Sequence, residues 1–109
     1  MKRKRKIMNA VENQVRELVA VELESANRQF PQFHSLHEGW AVMLEEIREM
    51  RDEMNKIDKH HDAMFFHIMH NSSALECAKE VREHALWAAC EAIQVAAMAQ
   101  KFRDMEGNP

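Results

Sequence analysis

The 109 residues include 15 Lys and Arg, 18 Asp and Glu and seven His, for a formal charge of −3. That length allows one domain with one modest core and excludes a two-domain enzyme. Two Gly and two Pro are too few turn residues for a sheet protein, so the composition predicts an all-α fold of a few long helices.

Five of the basic residues form Lys2–Lys6, within a flexible tail predicted over residues 1–7 and followed by a single domain over 8–109. Outside the tail, ten Lys and Arg face eighteen acids, so the body repels a bare phosphate chain. It would take up an anion through a cation held between them, and nucleic acid is expected at most along the tail. The basic start leads into IMNAVENQVREL, not an unbroken apolar signal core, and the longest apolar run is too short for a bilayer. A cytoplasmic protein with no membrane partner is therefore expected. Cys77 and Cys90, thirteen residues apart, lack metal or redox spacing and read as small buried thiols.

The first helix is predicted from about Met8 to Arg28. Val11, Val15 and Leu18 form its apolar stripe, flanked by Val19 and Val21, and Glu22 interrupts the next position. Pro31 disfavours helix in the residue ahead of it and ends the element. The second helix begins near Ser35 or Leu36, and Ser35 with Glu38 has capping-box spacing. Leu36, Trp40, Met43, Ile47, Met50, Met54 and Ile57 then recur at three and four and define an inner face. The pattern weakens over residues 58–62, so 63–70 is either a kinked continuation or a separate short helix.

The third helix opens at residues 71–76, where Ser73 and Glu76 repeat the capping-box spacing, and runs to about Arg103. Its principal face is predicted as Ala74, Ala78, Val81, Ala85, Ala88, Ala92, Val95, Ala99 and Phe102, with Leu86, Cys90, Ile93 and Ala97 covering most of the rest. A helix apolar all round is normally buried, and three helices cannot surround one of their own number. A second copy is expected to help cover it, giving a four-helix-type bundle across a homodimer or higher homo-oligomer.

From Ala85 to Ala99 the only polar residues are Glu91 and Gln94. A carboxylate in apolar surroundings is costly unless it is paired or binds a metal, and a spacing of three puts both groups on one patch. The second helix supplies more acids. Glu46, Glu49 and Glu53 border its apolar face, whereas Glu45 and Asp52 point away from it at about 100° per residue. Like charges so spaced repel modestly. Either they are a solvated flank offset by Arg48, Arg51 and Lys56, or Glu46 and Glu49 meet Glu91 and Gln94 across a helix contact and bind Mg²⁺, with Mn²⁺ as the alternative ion. Hard oxygen donors suit such ions, and the solvated-flank reading gives Glu91 no partner.

These residues resemble the MazG-like superfamily of all-α nucleoside triphosphate pyrophosphohydrolases, in particular its short phage and prophage members. The family signature is E-x-x-E on one helix and E-x-x-D on a later one. Glu46-Ile47-Arg48-Glu49 matches the first half, with Glu45 as the common doubled acid. Glu91-Ala92-Ile93-Gln94 matches the second, with Gln94 where the family usually has Asp. The longer strings FHSLHEGWAVMLEE (33–46) and EAIQVAAMA (91–99) add to the likeness, which spans roughly Phe30 to Asp104. It implies Mg²⁺-dependent hydrolysis of a nucleoside triphosphate to the monophosphate and pyrophosphate, in the manner of nucleotide-pool housecleaning. Glu46, Glu49, Glu91 and Gln94 would be the metal ligands, and Glu49 or Glu45 the proton acceptor. Candidates for substrate contacts are His34, Trp40, Glu53 and Lys56. Because an amide carries no charge, Gln94 also admits a second reading, a bundle that kept the fold with weakened or lost turnover and serves as a nucleotide sensor or protein-interaction module.

Seven histidines also invite a zinc reading. His67 and His70 are three apart, with His60, His61 and Asp62 one to two turns earlier, but no cysteine lies at close spacing; solvated or partly buried histidines are the ordinary explanation. Trp40 and Trp87 suit core or interface packing better than base stacking, and many of the nine methionines read as soft packing.

Overall fold

The computed structural model describes residues 11–107, and these form three helices: α1 (Val11–Gln29), α2 (Leu36–Met69) and α3 (Leu75–Gly107). The Lys2–Lys6 tail and the expected helix start at Met8 lie outside the described residues. There is no strand among the described residues, and none of the helices is long and apolar enough to cross a membrane.

Local chemistry sets the helix ends. Ser35 is extended (φ −157°), and its Oγ accepts from the Glu38 amide at 3.1 Å. The Glu38 carboxylate reaches back one residue further than the capping box predicts, to the His34 amide at 3.3 Å and His34 Nδ1 at 2.8 Å. That bond holds the Glu38 carboxyl below its usual range. α2 then runs unbroken for 34 residues, so residues 63–69 continue it. It stops in a Schellman turn: Asn71 takes the left-handed conformation (φ 53°), its amide bonds to the Ile68 carbonyl, and the Ser72 amide bonds to the His67 carbonyl at 2.8 Å. The predicted box at Ser73 and Glu76 is not formed. Ser73 Oγ accepts from the Leu75 amide, and Glu76 pairs with Lys79.

This short turn returns α3 along α2. Pairing of residue 46 with 91, 53 with 84 and 60 with 80 fixes the two as an antiparallel hairpin. α1 lies against α3 and makes no comparable contact with α2 among the described residues. The tightest packing is at the start of α2. A Cβ on Gly39 would sit 2.7 Å from Phe102 Cδ2 and 2.9 Å from Phe33 Cδ2, so glycine is what lets the first turn rest on both rings. Lys101, only 6% exposed, donates through Nζ to the Phe30 carbonyl and sits 4.8 Å from the Phe33 ring centre. Burial lowers its pKa from the ordinary lysine value.

Several expected faces are corrected. Val11, Val15, Leu18 and Val21 point to solvent, while Val19, Leu23 and Ala26 are half-buried. On the face predicted for α3, Ala74, Ala78, Val81, Ala88, Val95 and Phe102 are half-buried as expected, but Ala85, Ala92 and Ala99 are exposed, and Cys77, His84, Glu91 and Met98 add a half-buried row at seven-residue spacing. Trp40 and Trp87 are 61% and 53% exposed, so neither is core within one chain. Cys90 is exposed and Cys77 half-buried, against two buried thiols. The reason is common to all. Helices apolar on more than one side give no direction from periodicity alone, and only two neighbours grip α3.

Among the apolar side chains described, only Phe33 and Ala97 are buried. The radius of gyration is 17.8 Å over extents of 60 × 31 × 28 Å, against about 13 Å for a compact domain near this size. One chain is a rod that leaves broad apolar faces in water.

Candidate metal centre

Midway along the hairpin, where α2 and α3 face each other, Glu46 and Glu49 project from successive turns of α2 and Glu91 from α3. One carboxylate oxygen from each lies within 4.8 Å of the other two. The spacing of three on α2 and the seven-residue row on α3 bring them to one seam. Neither Glu46 Oε2 nor Glu91 Oε2 reaches water or a hydrogen-bond donor. Ionised carboxylates only accept, so these oxygens face one another with no proton between them unless one is taken up. Burial, foremost, pushes the Glu46 carboxyl up to about 7, and the charges of Glu49 and Glu91 add to it. Glu49, on the exposed rim, is raised as well, by desolvation and then by Glu91.

The donor set and its unsatisfied oxygens fit a hard divalent cation, which would supply the positive charge this seam lacks. Arginine or lysine does the same at many buried acids, yet neither Glu46 nor Glu91 has a cationic partner within ion-pair distance among the described residues.

The other sequence-predicted residues divide into four groups. Gln94, one turn beyond Glu91, donates through Nε2 to Glu22 Oε1 of α1 at 3.5 Å. Its amide is thus committed to Glu22, the residue that interrupts the apolar stripe of α1. Glu45 is exposed on the outer side of α2, and its charge is the weakest of those raising Glu46. Glu53 accepts from His84 Nδ1 at 2.7 Å and lies 3.5 Å from Lys56 Nζ; the His84 bond, chiefly, holds its carboxyl below the usual range. His34 caps the start of α2 through Glu38, and Trp40 lines an open apolar hollow there with Leu36, His37 and Phe102.

The candidate zinc residues are not gathered as the sequence suggested. His67 Nδ1 meets Ser72 Oγ and His70 Nδ1 meets the Phe66 carbonyl, both closing the α2 turn. His60 joins instead with His84 and Glu80 of α3. The signal for that pairing was the heptad: residues 46, 53 and 60 form one row on α2, as 84 and 91 do on α3.

Compared with known protein families, with curated proteins and with solved structures, the chain matches none.

Proposed function

We propose that the chain is a Mg²⁺-dependent nucleoside triphosphate pyrophosphohydrolase of the MazG-like kind, its metal held by Glu46, Glu49 and Glu91. The observation that carries this reading is the convergence of three carboxylates, with two buried oxygens lacking any donor. When bound, the ion would offset the charge of the triphosphate and of the departing pyrophosphate. Glu46 and Glu91, the less accessible pair, would hold it from within the seam and Glu49 from its rim. Glu49 sits on the open rim, so it is the carboxylate with access to an attacking water and suited to take its proton. Glu45 is turned outward and takes no part. Glu53 is engaged by His84 and Lys56 and borders the seam without serving as a ligand.

The same reading includes a second copy of the chain. Val11, Val15 and Leu18 on α1 and Leu86 and Trp87 on α3 are each at least 40% exposed, an apolar area that a monomer rarely leaves in water. Light scattering of the purified chain should give twice the monomer mass.

One observation favours the sensor or interaction module as the second reading. Gln94, standing where the resemblance places Asp, is bonded to Glu22 and brings no charge to the centre. The test is pyrophosphate release from common and oxidised nucleoside triphosphates with Mg²⁺ or Mn²⁺. Release lost in Glu91→Gln supports the enzyme. No release from any nucleotide, together with nucleotide binding, supports the module.

A further inference from the structure

A second polar cluster lies on the α2–α3 seam. His84 is seven residues from Glu91, about 10 Å along the helix axis, and His60 continues the row of Glu46 and Glu53. We propose that His60, Glu80 and His84 form a binding site for a divalent transition metal of the zinc class, separate from the carboxylate centre.

The geometry points to it directly. His84 Nε2 is 3.3 Å and His60 Nε2 3.9 Å from the same Glu80 oxygen, Oε2. The two imidazoles are stacked, with centres 5.6 Å apart and planes within 7°, so both present the same edge to that carboxylate. Donors around a tetrahedral zinc, with bonds of about 2.0–2.1 Å, stand about 3.4 Å apart. The two separations to Glu80 bracket that value, and all three donor atoms lie within 4.8 Å of one another.

Glu53 sets the chemistry from behind. Its Oε2 lies 2.7 Å from His84 Nδ1. In the neutral ring this carboxylate draws the proton to Nδ1 and leaves a lone pair on Nε2. That lone pair then faces an oxygen of Glu80, which when ionised can only accept. Two acceptors at 3.3 Å call for a proton or a cation between them. A carboxylate behind a ligating imidazole is the usual outer partner of zinc histidines, fixing the ring and strengthening it as a ligand. Two imidazoles and one carboxylate suit zinc-class ions, whereas Mg²⁺ favours oxygen alone. Glu80 is 51% exposed, so the ion enters from solvent and keeps a position open to water. It would tie the last third of α2 to the first turns of α3. Glu53 here is a positioning residue, acting through His84.

The test uses the full chain freed of metal by chelation, titrated with Zn²⁺ by calorimetry and with Co²⁺ by visible absorption. The expected result is one equivalent per chain that survives Glu91→Gln, gives the strong visible bands of four-coordinate Co²⁺, and disappears in His84→Ala. His60→Asn and Glu80→Gln, changes at less buried positions, should weaken binding at least tenfold with the helical circular dichroism unchanged. Glu53→Gln should keep the stoichiometry and weaken affinity by about 10–100-fold. Three results would overturn the site: no Zn²⁺ binding, binding unmoved by His60→Asn and His84→Ala, or binding lost in Glu91→Gln. The last would send the ion to the carboxylate centre, and the second would leave a proton as all that joins His84 to Glu80.

Discussion

Two stretches of the α2–α3 hairpin seam are built on opposite terms. At the start of α2, Phe33, Gly39, Lys101 and Phe102 interlock without a spare atom's width, and the buried ammonium has both a carbonyl and an aromatic ring to face. About two to three turns further along α2, Glu46, Glu49 and Glu91 crowd together with two oxygens that no donor satisfies. A protein selected for stability alone would replace such acids with apolar residues, a change that is often neutral or favourable. The first region holds the fold together. The second accepts a cost that a proton or a bound cation would relieve.

The largest expected effect is at the acidic region. If the centre works as proposed, Glu91→Ala should lower pyrophosphate release by about a thousandfold, since the ion supplies several kcal/mol of charge stabilisation and each 1.36 kcal/mol is tenfold. The same variant should melt no lower than the parent without metal and should lose the stabilisation by Mg²⁺; a shift that persists would put the ion elsewhere. The packed end should respond in the reverse manner. Gly39→Val forces a side chain against Phe33 and Phe102 and should cost about 1–3 kcal/mol, read by denaturant unfolding, with Mg²⁺ affinity unchanged. Lys101→Ala removes the donor to the Phe30 carbonyl and should cost about 1–2 kcal/mol; a neutral result would mean that water replaces the ammonium there.

The smallest effect is on pH. The Glu46 carboxyl titrates at about 7 in the folded chain against an ordinary 4.5. Between those values the folded form holds a proton that the unfolded chain has released, so stability of the metal-free protein should fall as pH rises from about 4.5 to 7. Glu46→Gln should flatten that slope, and Mg²⁺ should oppose it above pH 7. Glu49, also raised, leaves a remnant. Glu38 and Glu53 are shifted the other way, so their contribution is lost only below the ordinary carboxylate range. A melting profile with no slope in this window would mean that Glu46 is better hydrated, or the carboxylates farther apart, in solution.

The sequence was a good guide wherever the cause is local. Helix starts at Ser35 and stops at Pro31 follow from neighbours within a turn, and the row containing Glu46 and Glu49 follows from helical period. It was a poor guide to direction. From Ala85 to Ala99 α3 is apolar on nearly every side, so Ala85, Ala92 and Ala99 had no less claim to the interior than Ala88 or Val95. It was silent on pairs fixed by how one helix registers against another. Glu53 with His84 is separated by 31 residues, and Gln94 with Glu22 by 72; nothing in either segment alone names the other.

The unequal grip on α3 has a consequence for motion. α1 rests on one neighbour and is tied at its far end by the Lys101 bond to Phe30, whereas α2 and α3 hold each other along most of their length. Hinged near Pro31, α1 can therefore lift as a unit at a lower free energy than global unfolding, and its amides should exchange with deuterium ahead of the hairpin's. Each such excursion would release Gln94 from Glu22 and open the side of the hairpin next to Glu91. The least firmly held of the three helices thus borders the seam where like charges crowd.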